Sequence, residues 1–122
     1  MFPETVHPPD STPAISVQQP YAEQILLGVK TYEYRGMKTH KRGRVYIYAS
    51  RTIRVDHAEW ARISMTPSRV VRGHVIGTVE IVGCDWSDEL GCYRWHLARP
   101  KRIPPRRPRN RPQPVWFYPF TE

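Results

Sequence analysis

Residues 44–50, RVYIYAS, form the clearest predicted strand in the chain, because β-branched and aromatic residues dominate this stretch. A second, longer strand is predicted over residues 74–84, HVIGTVEIVGC. Its Gly77 and Gly83 indicate bulges or strong curvature within the strand. Short, curled strands of this kind favour a small, partly open β-barrel over a helical bundle or a doubly wound sheet.

The remaining elements are short strands and two helices. The short strands are predicted over residues 14–17, 30–35, 93–98 and 115–118. Pro114 and Pro119 flank the last of these, which suits an edge strand. One helix is predicted to begin at Pro20 and end at Gly28, and another to cover residues 55–63. We therefore predict an α+β fold that is mainly β: a small, partly open β-barrel of about five or six strands with two or more peripheral helices.

Length and proline content predict the domain organisation. The chain has 122 residues, the size of one domain, and 13 prolines, most of which lie near its two ends. We expect a flexible proline-rich segment over residues 1–13. A single domain is expected over residues 14–122, and it includes a basic Pro/Arg-rich segment at residues 99–114.

Targeting and metal-binding signals are not found in the sequence. No stretch approaches the roughly 18 apolar residues that span a membrane, and residues 1–13 do not resemble a secretory signal. We expect an intracellular, cytoplasmic protein with no membrane partner. Cys84 and Cys92 are expected to be free thiols, since their spacing fits no common zinc site. We expect no metal and no cofactor.

The charge balance points to a polyanionic partner. Lys and Arg number 19 against 11 Asp and Glu, which gives a formal net charge of +8. Extended, proline-rich arginine segments bind phosphate backbones without recognising sequence. We predict backbone contacts from a basic loop and from the Pro/Arg-rich segment: Lys38, Lys41, Arg42, Arg44, Arg99, Lys101, Arg102, Arg106, Arg107, Arg109 and Arg111. Alternatively, the segment is a solvated linker, or an extended ligand for a transcription or translation protein.

A charged trio follows the predicted turn at Gly28. Alternation along the strand puts Glu33 and Arg35 on one face, and Lys30 can reach the same hollow from the turn. An ammonium, a carboxylate and a guanidinium together can bind a base edge and a phosphate. Alternatively, the trio is a solvated strand with alternating charges.

Other residues leave two interpretations open. Tyr46 and Tyr48 share a strand face, where they either stack on bases or belong to the barrel core. Trp60 and Trp116 are expected in the core. Glu80 lies in an apolar strand, where it is either a second acid in the cleft or the ion-pair partner of an arginine.

Several motifs follow one another along the chain: ISVQQPYA at residues 15–22, Gly28-x-Lys30-x-x-Glu33-x-Arg35, RGRVYIYAS at residues 42–50 and GTVEIVGC at residues 77–84. Together they resemble the ASCH domain, the family named for homology to activating signal cointegrator 1, which belongs to the PUA-like superfold. The match resumes at Tyr93-x-Trp95-x-Leu97, Pro100 and Val115-Trp116. The resemblance covers roughly residues 14–118.

The resemblance implies a barrel with a cleft beside its first helix that binds RNA or another nucleic acid. The cleft would hold one nucleotide, such as a flipped or modified base. Carried over residue by residue, its lining would be Gln19, Tyr21, Lys30, Glu33 and Arg35, with Ser50 and Arg51 at a strand end. We therefore expect a binding module for RNA or single-stranded nucleic acid.

The resemblance also implies an enzymatic alternative. Some ASCH proteins are amidohydrolases that deacetylate acetylcytidine, and they share Lys30 but need a threonine three residues later. That position is Glu33 here, and Thr31 is a poor substitute. The alternative is a small amidohydrolase or nuclease acting on a nucleoside or RNA in the same cleft, with Lys30 and Glu33 as its catalytic residues.

Overall fold

The structure is a computed structural model that describes residues 8–54 and 56–122. Six strands and two short helices make up the fold. In chain order they are β1 (Ala14–Gln19), α1 (Tyr21–Leu26), β2 (Tyr32–Arg35), β3 (Gly43–Ile53), α2 (His57–Trp60), β4 (His74–Ser87), β5 (Cys92–Arg106) and β6 (Trp116–Phe117). The predicted mainly β fold with peripheral helices is confirmed, although β3, β4 and β5 are longer than predicted and α2 is shorter.

The strands form one curled sheet in the order β2-β5-β4-β3-β1-β6. Strands β1 and β3 are parallel, and every other neighbouring pair is antiparallel. The β4–β5 register shifts next to Gly77 and again next to Gly83, the two positions where bulges are predicted. Strand β6 lies at the sheet edge, as predicted.

The curl brings the two ends of the sheet together. At the end of β2, Arg35 donates from Nη2 to the backbone oxygen of Ser16 in β1, at 2.7 Å. Trp95 of β5 stacks on Trp116 of β6, with ring centroids 5.6 Å apart. We call this line of contact, formed by Ser16, Arg35, Trp95 and Trp116, the seam. Side-chain contacts, and not a ladder of backbone hydrogen bonds, join the sheet along the seam. The barrel is therefore only partly closed.

Apolar side chains pack on both faces of the sheet. One cluster surrounds Ile15, Val17 and Ile47, and another contains Tyr46 and Tyr48. Tyr46 is 0% exposed and Tyr48 is 4% exposed, so neither ring is free to stack on a base. Both tyrosines belong to the core. Trp60 is also buried, and Trp116 is partly buried against the first cluster.

The Pro/Arg-rich segment differs most from the prediction. Its first part, residues 99–106, belongs to β5 and pairs with β4. Arg102 forms an ion pair with Glu23 of α1, and Arg99 forms one with Glu80. The interpretation of Glu80 as an arginine's ion-pair partner is therefore confirmed. The strand continues past the predicted end at residue 98. Its arginines therefore lie beside β4 and α1, and their ion pairs join β5 to both elements.

The described part of the N-terminal segment packs against the barrel. Tyr46 donates from its hydroxyl to the backbone oxygen of Pro8 at 2.9 Å, and from its backbone N–H to Pro13 at 3.0 Å. Thr121 donates from its hydroxyl to the backbone oxygen of Asp10 at 3.1 Å. Backbone carbonyls of Pro8, Asp10 and Pro13 thus accept hydrogen bonds from the folded domain, while the flexibility of the segment stays a prediction. Residues 1–7 lie outside the described residues.

Close packing of α1 on the sheet requires glycine at position 77. A Cβ atom there would lie 2.6 Å from the backbone oxygen of Lys101 and would also collide with Leu26. We expect Gly77→Ala to lower the free energy of unfolding by about 1–3 kcal/mol, since backbone must shift to admit the methyl group. Gly36→Ala is the control, because a Cβ at Gly36 meets nothing within 4 Å. Thermal denaturation measures both variants, and equal melting temperatures would contradict this packing.

Candidate functional site

A cavity of about 630 Å³ opens beside the seam, between β1, α1, β2 and α2. This volume is in the range of small-molecule sites. Its lining residues come from all four elements and from the loops next to them: Ser16, Val17, Gln18, Tyr21, Gln24, Lys30, Glu33, Tyr34, Arg35, Arg54, Glu59, Arg62, Pro114 and Val115. We call it the seam cavity.

The turn after α1 places Lys30 in the seam cavity. Gly28 adopts φ +77°, a left-handed conformation that glycine reaches without steric cost, and it ends the helix as predicted. The backbone N–H groups of Val29 and Lys30 then donate to the carbonyl of Gln24, at 3.0 and 3.1 Å. These bonds reverse the chain and direct it into β2.

Glu33 joins the two cations of the trio. Its carboxylate accepts from Arg35 Nε at 2.8 Å and from Arg35 Nη2 at 2.6 Å. Lys30 Nζ lies 3.6 Å from the other carboxylate oxygen. Glu33 is only 7% exposed, and the two cations supply the partners that a carboxylate needs in a buried position. The structure thus brings together the three residues that the sequence singled out.

Burial lowers the pKa of Lys30, although the neighbouring Glu33 carboxylate partly opposes this effect. The ammonium lies 5.0 Å from the ring centroid of Tyr21 and 4.6 Å from that of Tyr34. Cation–π contact compensates part of the lost hydration. Tyr34 is 45% exposed, so a face or edge of its ring remains open beside the ammonium.

The opposite wall contains residues that were not predicted. Gln24 of α1 donates from Nε2 to the backbone oxygen and to the carboxylate of Glu59, at 2.9 and 2.8 Å. Arg62 Nη1 lies 3.7 Å from the same carboxylate. Glu59 and Arg62 are three residues apart in the predicted second helix, a spacing that puts both on one face. The sequence therefore indicates that Glu59 and Arg62 share a face, but it does not indicate which surface that face contacts.

Three predicted cleft residues do not line the seam cavity. Gln19 is fully buried, where it accepts from the backbone N–H of Glu23 and donates to the carbonyl of Val71, both at 2.9 Å. It therefore fixes the start of α1. Ser50 and Arg51 lie elsewhere because β3 continues to Ile53 and does not end at the cleft. Ser50 Oγ accepts from the backbone N–H of Thr52, and Arg51 lines a second cavity.

Many predicted phosphate-binding cations are engaged within the protein. Arg106 pairs with Asp10 and Arg109 with Glu122, as Arg99 and Arg102 pair with Glu80 and Glu23. In the predicted basic loop, Arg42 donates to the backbone oxygens of Thr39 and Lys41, and Arg44 donates to Thr78 Oγ1.

Lys41 lies over the ring of Trp116, with Nζ 5.1 Å from the ring centroid. Within the described residues, Lys38, Lys101, Arg107 and Arg111 form no ion pair and are exposed. These four cations are the ones left most accessible to an external anion.

The cavity lining as a whole is cationic but mixed. Four cations and two carboxylates line it: Lys30, Arg35, Arg54 and Arg62 with Glu33 and Glu59. Such a lining can bind an anionic group and also accept hydrogen bonds from a polar ligand.

Over residues 8–54 and 56–122, no group of three or more His, Cys, Asp or Glu residues lies close enough together to hold a metal ion. In the same residues, no helix has the length and apolar character required to cross a membrane.

Comparisons with known proteins agree with this fold. A family model described as the ASCH domain matches residues 15–106. The crystal structure of ASCH from Zymomonas mobilis is 16% identical, with 90% of this chain and 88% of that chain covered and a TM-score of 0.60. A tyrosine-to-phenylalanine mutant of that protein is 15% identical over 88% of this chain and 89% of that chain, also with a TM-score of 0.60. No curated protein matches the chain.

The family match and the structural likeness agree on the same domain. At such low identity the crystal structures show the fold alone. The family match is the stronger finding, because it spans most of the chain and contains the strand, turn and trio described above. The chain belongs to the ASCH domain family, which is generally associated with RNA binding.

Proposed function

We propose that this ASCH domain binds RNA or another single-stranded nucleic acid and holds one nucleotide in the seam cavity. The convergence of Lys30, Glu33 and Arg35 beside the half-exposed ring of Tyr34 is the observation that carries the proposal. The family's general association with RNA and the net charge of +8 support it.

Each group has a distinct role in this proposal. The Tyr34 ring stacks on the base, an interaction worth about 1–3 kcal/mol in single-strand binding proteins. Lys30 and Arg35 face the phosphate or its ester oxygens. Glu33 accepts a hydrogen bond from an exocyclic amino group on the base edge, since an ionised carboxylate is an acceptor only.

Backbone affinity comes from those predicted phosphate-binding cations whose side chains form no ion pair, hydrogen bond or cation–π contact within the described residues. Lys38, Lys101, Arg107 and Arg111 are the candidates, because their charge is not neutralised by a neighbouring carboxylate. Arg99, Arg102, Arg106 and Arg109 contribute less in this proposal, because each is paired with a carboxylate and, unlike Lys30 and Arg35, does not line the seam cavity.

One prediction of this proposed function concerns the ring of Tyr34. Tyr34→Ala should weaken binding of a mononucleotide by about ten- to a hundredfold, whereas Tyr34→Phe should retain most of the affinity. Tyr118→Ala is the matched control, because Tyr118 is 48% exposed but does not line the seam cavity. Isothermal titration calorimetry measures all three variants. An unchanged mononucleotide affinity of the Tyr34→Ala variant would show that the base does not stack on Tyr34.

Another prediction concerns the pKa of Lys30. Because burial lowers its pKa, Lys30 in the free protein should lose its proton at lower pH than an unperturbed lysine does. A bound phosphate should raise the Lys30 pKa again, since an opposite charge favours the ammonium. NMR titration of the lysine side chains can follow this, as the chain has only four lysines. No change in the Lys30 pKa with saturating nucleotide would place the phosphate elsewhere.

One observation favours the enzymatic alternative and needs its own test. A lysine with a lowered pKa beside a carboxylate is an arrangement that proton-transfer sites use. Thr31, however, is exposed and does not line the seam cavity, so it does not supply the missing nucleophile.

The test is incubation of the protein with acetylated nucleosides and, separately, with labelled RNA. We expect no product and unchanged ligand from the wild-type protein. Product that forms with the wild-type protein and disappears with Lys30→Met would establish the enzyme instead of the binding module.

A further inference from the structure

A second cavity of about 690 Å³ lies where the end of β3 meets residues 107–112. Four arginines line it: Arg51, Arg107, Arg109 and Arg111. Among the residues that the structure describes, no carboxylate lines this cavity, in contrast to the mixed charges of the seam cavity. A lining of four guanidinium groups, of which only Arg109 has a carboxylate partner (Glu122), suits phosphate groups.

The segment that carries three of these arginines is held in place. The backbone N–H groups of Arg109 and Asn110 donate to the carbonyl of Pro119, at 2.8 and 3.0 Å. Asn110 also donates from Nδ2 to the backbone oxygens of Tyr118 and Thr121, each at 2.6 Å. The arginines are therefore presented by a fixed segment, and binding costs less conformational entropy than it would for a free tail.

The fourth arginine is positioned by a glycine. Gly73 has φ +74°, and a Cβ at this residue would lie 3.1 Å from Arg51 Nε. The absence of a side chain lets Arg51 lie across the Gly73 backbone and into the cavity. Arg109 is paired with Glu122, whereas Arg51, Arg107 and Arg111 form no ion pair within the described residues.

The two cavities are neighbours along the chain. Pro112 lines the second cavity, and Pro114 lines the seam cavity. Their Cα atoms are at most about 7 Å apart, because only one residue separates them. That residue is fixed as well, since Ser16 Oγ donates to the backbone oxygen of Gln113 at 2.8 Å.

We propose that the second cavity binds the backbone phosphates of an RNA strand next to the nucleotide held in the seam cavity. The strand would pass over residues 112–114, with its phosphates on Arg51, Arg107 and Arg111. This inference rests on the proposed function, to which it adds a defined phosphate site and a path for the strand between the two cavities. It also assigns Arg51 to phosphate binding outside the cleft for which the sequence predicted it.

The experiment compares a mononucleotide with a single-stranded RNA tetranucleotide across salt concentrations. In the wild-type protein the tetranucleotide should bind more tightly, and with a steeper salt dependence, than the mononucleotide. The triple variant Arg51→Gln, Arg107→Gln and Arg111→Gln should lose most of this gain and keep its mononucleotide affinity. Its slope of log K against log salt should fall by about 0.7 for each phosphate that the variant no longer neutralises.

Arg69→Gln is the matched control, because Arg69 is an exposed arginine that lines neither cavity. Circular dichroism melts check that each variant is folded. Should the triple variant misfold, Arg107→Gln with Arg111→Gln tests the same site without altering the packing at Gly73.

The outcomes separate the two proposals. A length-dependent gain that survives in the folded variant would overturn the second cavity as the phosphate site, even if the mononucleotide binds as proposed. A gain that disappears in this variant, with no effect of Tyr34→Ala on either ligand, would support the phosphate site and contradict the seam cavity. No length-dependent gain in the wild-type protein would overturn the inference outright.

Discussion

The contact on which the site depends is the bridge that Arg35 makes across the seam. Its guanidinium binds the Glu33 carboxylate on its own strand and the Ser16 carbonyl on the first strand, at the far side of the sheet. The Ser16 carbonyl belongs to β1, so this bond ties the end of β2 to a strand with which β2 does not pair in the sheet. Stacking of Trp95 on Trp116 reinforces the same closure.

Incomplete closure explains why a cavity lies at this position. A fully hydrogen-bonded barrel would bring the two edge strands, β2 and β6, to ladder distance, about 5 Å, with no room between them. The seam instead leaves about 630 Å³ beside the trio, covered on one side by α1 and α2. Arg35 therefore contributes both to the fold and to the site. It connects β2 to β1, and it also lines the seam cavity. Lys30 and Glu33 reach that space because β2 begins directly after the turn at Gly28.

The sequence predicted local structure well and long-range contacts poorly. The strand RVYIYAS, the helix end at Gly28 and the edge strand at Trp116 depend on patterns within a few residues. The pairing of Glu33 with Arg35 also followed from strand alternation alone. By contrast, the β5 extension through Arg106 was hidden by prolines, which usually indicate loops, and its ion pairs join residues far apart in sequence. Gln19, Ser50 and Arg51 were carried over from the family resemblance, which does not reveal that Gln19 is buried or that β3 continues to Ile53.

A crystal structure of the protein with a short single-stranded RNA would test the central claim most directly, since it locates the nucleotide relative to the seam. The account predicts one base against Tyr34, its amino edge towards Glu33, and a phosphate near Lys30 and Arg35. An RNA bound only on another surface, with the seam cavity unoccupied and the Arg35 bridge unchanged, would contradict it.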